Sequence, residues 1–256
     1  MSSHTLIKRS ISIIISARNR KPRDYFGPNP RSRKRDVRMT VPAELFRELR
    51  AELDRAVRDG RAGEDVLRAI SPSLRAQGLW LDDYFAVNPK TRRRNKFRPM
   101  QDWFLPIYSS YLRVRMSALH LEQMRAVSHS RPWWEYVCPA PSGEGCEPSH
   151  GRWNGLILRH DDEWWKVHFP PNCAECCCEL NSLSDDDLKF ERLVASGRAP
   201  KAEMVRWRSP FNDRVVELPA GVAPGFLGMP SVAMADRLLQ TMIDRSSPSA
   251  SLSWAD

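Results

Sequence analysis

The run HFPPNCAECCC, residues 168–178, puts four cysteines into six positions directly behind a Pro-Pro pair. What those thiols do decides how the C-terminal half of the chain can fold, because little around them would build an ordinary aliphatic core. All six cysteines lie between 138 and 178, at Cys138, Cys146, Cys173, Cys176, Cys177 and Cys178, and His150, His160 and His168 share the window. Three readings compete. Disulfides are possible by count, but adjacent cysteines bond each other only with strain, and nothing else in the chain signals secretion. A reactive thiol needs a base and an orienting partner, which sequence alone does not place. Metal binding uses what is present: thiolates two positions apart, joined by Cys146 and His150 from upstream.

Zinc suits these ligand types, since sulfur and imidazole match its tetrahedral shell and no redox role is needed. On an extended strand Cys176 and Cys178 share a face and Cys177 points away. His150 and Cys146 then close the shell from an opposite loop, with Cys173 and His168 competing as further ligands.

Working outward, residues 131–183 read as a small β-containing module. WWEYV (133–137) and GLILR (155–159) have strand composition, and turn residues fill the gaps. A module of this kind buries little apolar area and needs a staple. Five of its residues are Trp133, Trp134, Trp153, Trp164 and Trp165. Such rings can stack on bases, but in a module poor in aliphatics they serve first its own core and a protein interface.

Upstream, TVPAELFRELRAELDRAVRDG (40–60) spaces Leu45, Phe46, Leu49, Leu53 and Val57 for one amphipathic helix between Pro42 and Gly60. A shorter helical pattern in EDVLRAI (64–70) is interrupted or ended by Pro72. Residues 79–99 read as irregular, with KTRRRNK (90–96) a basic run. The segment WFLPIYSSYLRVRMSALHLEQMRAV (103–127) carries Ile107, Tyr111, Val114, Leu121 and Met124 on a helical repeat, with Pro106 expected in the first turn. It is the longest helix predicted. Beyond the module, residues 184–256 return to helix and loop, and SDDDLKFERLVASG (184–197) is a capped helix with three acids in its first turn. The expected fold class is α+β: a basic arm over 1–39, a helical region over 40–130, the module at 131–183, and a helix/loop tail over 184–256.

Net charge is +9, and residues 1–40 hold eleven Lys or Arg against two Asp. The remaining 29 basic and 29 acidic residues balance. An excess confined to an arm attracts polyanions, nucleic acid first, because each cation set against a phosphate releases counterions. The arm also has the composition of a solvated, disordered tail. SISIIIS (10–16) is too short to span a bilayer and no signal-peptide cleavage pattern follows, so the sequence reads as soluble and unsecreted.

Enzyme signatures are missing. PNCAEC (171–176) has one residue too many for the zinc-deaminase P-C-x-x-C, and neither H-E-x-x-H nor a G-x-x-x-x-G-K-[ST] loop occurs. Glu163, Glu175 and Glu179 could serve a metal-bound water, but acids of this kind are more often solvated surface.

The run RPWWEYVCPA…EPSHGRWNGLILRHDDEWWKVHFPPNCAECCCELNSLSDDDL resembles the head-morphogenesis domain of the phage Mu F-like minor head proteins. The features that carry the resemblance fall on Trp134, Tyr136, Pro148, His150, Trp153, Gly155, Asp161, Asp162, Trp165, Pro170, Pro171, Asn172, Cys176 and Cys178. FLPIYSSYLRVRMSALHLEQM is similar to the family's long helix, PSLRAQGLW to an upstream segment, and LPAGVAPGFLGMPS to its Pro-x-Gly-x-x-Pro-Gly-aromatic tail. The likeness thus covers about residues 40 to 235. It implies a phage or prophage head component that binds the portal, the procapsid and capsid proteins during assembly, in the virion or the host cytoplasm, and it implies no reaction. Cys177 stands where the family usually has Arg, Cys173 where many members have Gly or His, and Cys146 lies one position from the usual first Cys. The chain begins later than longer members do, as a shortened prophage remnant would.

The expectation is therefore a minor capsid protein of head morphogenesis, not an enzyme and not in a membrane. Structural zinc is expected on a set drawn from His150, Cys176, Cys178, Cys146, Cys173 and His168, and DNA contact through residues 1–38 and Arg92, Arg93 and Arg94. The alternative is a zinc-containing nucleic-acid-binding protein. A zinc hydrolase or nuclease is the third reading.

Overall fold

Leu45, Leu49 and Leu53 recur every four residues, so on a helix they form one stripe. In the computed structural model, which describes residues 42–87, 94–139, 148–208 and 215–244, that stripe is buried together with Ala56 along helix α1, Ala43–Asp59. Phe46 and Val57 flank it and are half-buried. Pro42 occupies the N-cap, and Gly60 (φ 64°) ends the helix in the left-handed conformation. The arm over 1–39, Arg92, Arg93 and Cys146 lie outside the described residues.

Helix α2, Gly63–Ala76, does not stop at Pro72 but runs through it. Proline offers no N–H to the Arg68 carbonyl, and the Ser71 hydroxyl donates to that oxygen instead at 2.9 Å. Ile70 and Leu74, fully buried on either side, hold the turn in place. At the start of α2 the tyrosine ring of Tyr108 passes so close that a Cβ on Gly63 would meet its Cδ1 at 2.8 Å.

Residues 79–99 are not irregular throughout. Strands β1, Tyr84–Val87, and β2, Arg94–Phe97, pair antiparallel with Tyr84 opposite Phe97. Long cations hide the strand pattern in the sequence and support the pair in the fold: the Arg94 guanidinium lies 4.0 Å over the Phe85 ring, and Lys96 Nζ is 3.0 Å from Asp83. Helix α3, Pro99–Ala126, is the longest element described, at 28 residues. It starts a turn earlier than predicted, because Pro99 suits a first helical position and Met100 and Phe104 extend the buried face backward. Pro106 is therefore inside the helix rather than in its first turn.

The described residues divide into two compact units, one drawn from 42–112 and 239–244, the other from 113–238. In the first, α1 and α2 bury Leu49, Leu53, Val66 and Ile70, and the early part of α3 buries Phe104, Ile107 and Tyr111. Tyr111 donates to Asp54 at 2.9 Å, Ser73 donates to Glu48 at 2.7 Å, and Tyr108 donates to the Arg61 carbonyl.

The second unit is built on a three-stranded antiparallel sheet in the order β4-β3-β5. Its central strand β3, Trp133–Val137, alternates so that Trp134 and Tyr136 are buried. Strand β4 is Ile157–Arg159 and β5 is Glu179–Leu183. Leu121 and Met124 from α3, Leu158, Leu180, Trp165 and Phe169 complete the core with those rings. A single turn of helix, α4, Trp165–His168, leads into the Pro-Pro segment, and the Pro170–Pro171 bond is cis. Helix α5, Asp185–Phe190, opens on a capping box in which Ser184 and Asp187 satisfy each other's backbone N–H.

The tail differs from the helix-and-loop expectation by a hairpin: β6, Met204–Arg208, pairs antiparallel with β7, Val215–Pro219. Helix α6, Val232–Asp244, ends the described chain. The fold is α+β, as the sequence predicts. No described helix is long and apolar enough to cross a membrane.

Candidate metal centre

His150 sits on a 3₁₀ turn, Pro148–Trp153, between β3 and β4. Its ring stacks on Trp153 (centroids 5.2 Å apart, planes 19° off parallel) and is fully buried. Nε2 lies 2.7 Å from the Gly221 carbonyl oxygen. A carbonyl can only accept, so Nε2 carries the proton, and in the neutral ring the lone pair is then on Nδ1. That nitrogen faces two sulfurs, Cys176 Sγ and Cys178 Sγ, each at 3.6 Å.

The loop between α4 and β5 supplies the thiols. Cys176 N–H closes a turn on the Cys173 carbonyl at 3.1 Å. With His150, Cys173 and Cys176 form a group whose ligand atoms all lie within 4.8 Å of one another. Cys178 reaches the same imidazole nitrogen but lies outside that mutual set. The loop is tied down on both sides: Arg113 donates to the Ala174 carbonyl at 2.8 Å, Ser117 donates to the Pro170 carbonyl, and Ala223 N–H donates to the Asn172 carbonyl at 2.8 Å.

Buried polar groups surround the sulfurs. The Tyr136 hydroxyl hydrogen-bonds Cys178 and accepts from Asn172 Nδ2 at 3.1 Å. Burial pushes its pKa well above the ordinary phenol value, and the neighbouring Cys176 and Cys178 thiols push the same way. His168 is buried against Trp164, the rings stacked 4.2 Å apart, and its Nδ1–H donates to the Trp164 carbonyl at 3.2 Å. Burial holds its pKa below the ordinary imidazole value against the pull of that hydrogen bond, and His150 lowers it further.

Of the residues expected from sequence, His150, Cys173, Cys176 and Cys178 converge, and His168 lies beside Trp153 and Trp164. Cys176 and Cys178 are buried while Cys177 between them is half-exposed, although β5 begins only at Glu179. Cys177 stands beside Glu179, whose pKa burial raises, His120 lowers and Cys177 raises. None of the five described cysteines is in a disulfide. Sequence reasoning missed Gly221, Tyr136 and Asn172 as parts of this centre. Tyr136 and Asn172 stood among the residues of the family resemblance and Gly221 in its tail segment, but no spacing rule links residue 221 to an imidazole 71 positions away.

A buried imidazole facing clustered thiols offers donor types that could hold a metal ion. Comparison with known proteins bears on the family resemblance. The chain is 27% identical over 146 residues to protein F of Escherichia phage Mu, whose name assigns it to capsid assembly; the match covers 57% of this chain and 33% of that protein. It is 24% identical over 170 residues to the Mu-like prophage FluMu F protein of Haemophilus influenzae, covering 66% of this chain and 39% of that protein. These matches support the Mu F-like assignment. The chain spans between about a third and two fifths of the length of these curated relatives. No family model matches it, and no solved structure does.

Proposed function

We propose that this chain is a phage or prophage head-assembly protein that works by binding rather than by catalysis, with its second unit held together by one structural zinc ion. The likeness to the two F proteins carries the assembly reading. The donor geometry supports the zinc reading. Tetrahedral zinc, at about 2.0 Å from nitrogen and about 2.3 Å from sulfur, separates those two ligand atoms by about 3.5 Å. His150 Nδ1 stands 3.6 Å from both Cys176 Sγ and Cys178 Sγ.

The ligands in this reading are His150, Cys173, Cys176 and Cys178. His168 is left out because its ring stacks on Trp164 and it is not in the grouped donor set. A shell closed by these four, which requires Cys178 Sγ to draw in toward the grouped donors, leaves no position for a water or substrate, which disfavours a hydrolase or nuclease. The metal-held sheet then serves as a rigid surface for the portal or capsid proteins in the host cytoplasm and in the particle. Full-length chain loaded with zinc should sediment with procapsids of the phage that encodes it and lose that property after chelation. A chain that never sediments with them overturns the assembly role, and binding that survives complete zinc removal overturns the staple.

A contact with packaged DNA has its own support in the eleven Lys or Arg among residues 1–40. Affinity for duplex DNA should then fall steeply with salt and vanish on deletion of residues 1–38. Salt-independent binding defeats this reading.

A further inference from the structure

We infer that the Gly221 carbonyl positions the metal ligand His150, so that an ion at the centre fastens the loop after β7, residues 220–226, although that loop contributes no ligand. The inference rests on the zinc reading above. Metal binding requires a bare Nδ1, and the hydrogen bond from Nε2–H to the Gly221 oxygen selects the tautomer that provides it. The approach depends on glycine. Gly221 has φ +85°, and a Cβ there would meet Trp153 Cη2 at 2.7 Å, Ser149 Oγ at 2.8 Å and His150 Cδ2 at 3.3 Å. Any side chain would push either the loop or the imidazole out of place.

A second tie runs to the thiol loop, where Ala223 N–H donates to the carbonyl of Asn172, next to Cys173. Val222 and Phe226 anchor the segment by burial. Through Gly221 and Ala223 the loop thus holds both halves of the ligand set, the 3₁₀ turn and the cysteine turn. Coupling between two binding events is reciprocal: whatever the loop adds to the affinity for the ion, the ion returns to the docking of the loop.

Two measurements on the full chain test this. In hydrogen–deuterium exchange, adding zinc to the stripped protein should slow the amides of residues 221–223 by tenfold or more. Unchanged exchange there, with zinc bound one to one, overturns the inference and leaves the zinc reading standing, whereas a chain that binds no zinc overturns both. In the second measurement, Gly221→Ala should weaken zinc binding by about 10–100-fold. Its cobalt-loaded form should keep the thiolate charge-transfer band but show displaced d–d bands. Val222→Ala loosens the same loop without touching the imidazole bond, and its d–d bands should match wild type. Wild-type affinity and bands in Gly221→Ala, or the same displacement in Val222→Ala, refute the positioning role. If Gly221→Ala does not fold, exchange in the wild-type chain decides.

Discussion

The two units reach a buried interior by opposite means. The first lines up aliphatic side chains on helices, Leu45, Leu49 and Leu53 against Val66, Ile70 and Leu74, and closes its polar accounts with few hydrogen bonds such as Tyr111 to Asp54. The second is built on a sheet of three strands, three to five residues each, and fills its core with indoles, imidazoles and thiols. Burial of an aliphatic stripe stabilises under most conditions, because it depends only on water. A centre of sulfur and imidazole depends on what those atoms bind and on their protonation. The difference teaches that one chain can hold a region whose folding is generic beside one whose folding is conditional.

The largest effect expected from this contrast is metal removal. Structural zinc contributes roughly 10 kcal/mol or more to folding, so a chelator should abolish the near-UV circular dichroism of the Trp134, Trp153, Trp164 and Trp165 cluster. The helical far-UV signal should fall far less. His150→Ala should reproduce that loss, with zinc content near zero by elemental analysis, whereas Cys177→Ser should keep a full equivalent. Equal zinc loss in both variants would mean that the cluster is not the site.

Next in size, Leu53→Ala in α1 removes a fully buried side chain and should cost about 2–5 kcal/mol in denaturant unfolding while leaving zinc content unchanged. If zinc is lost as well, the contrast between the units is false. Tyr111→Phe deletes the hydroxyl that donates to Asp54 and should cost about 1–3 kcal/mol. Adding Asp54→Ala to that variant should then cost little more through this contact.

The smallest effect concerns pH. Hydrogen bonds from the Ser184 backbone and side chain, with the Arg131 cation nearby, hold Asp187 below its ordinary carboxyl pKa of 3.8. A depressed folded pKa means the contribution is complete above 3.8 and fades as pH falls through the lower folded value. Asp187→Asn should therefore flatten the acid limb of stability by a small margin, since the carboxylate is partly open to solvent. A variant whose stability tracks wild type down the whole acid range would remove the capping box from the list of stabilising features.

How much of this was legible in the sequence follows the same division. The α1 stripe, its Pro42 and Gly60 ends, β3, β4 and the capped start of α5 could be read because local spacing determines them, although α5 stops at Phe190, short of the 184–197 expected. Pro72 misled, because proline normally ends a helix and the remedy is a side chain, Ser71, whose role shows only once the helix exists. The β1–β2 hairpin was hidden under arginines that stack across strands, and β6–β7 under the charges of Arg206 and Arg208 in a segment read as helix or loop. For the candidate metal centre, the residue types around His150 and the burial of Cys176 and Cys178 with Cys177 turned outward could be anticipated. Contacts from Tyr136, Asn172 and Gly221 could not, since they arise from distant segments brought together by the sheet.

The bond from His150 to Gly221 also sets an order of events during synthesis. The partners stand 71 residues apart, so a ribosome must have extruded the chain past β7 before the imidazole has its acceptor. The α1–α2 pair, by contrast, needs only residues 43–76. Until the later stretch appears, the nascent module would expose its tryptophans and thiols to whatever scavenges metal or sticky surface in the cell. If the centre holds zinc, the supply of that ion at that moment would bear on how many chains complete the second unit.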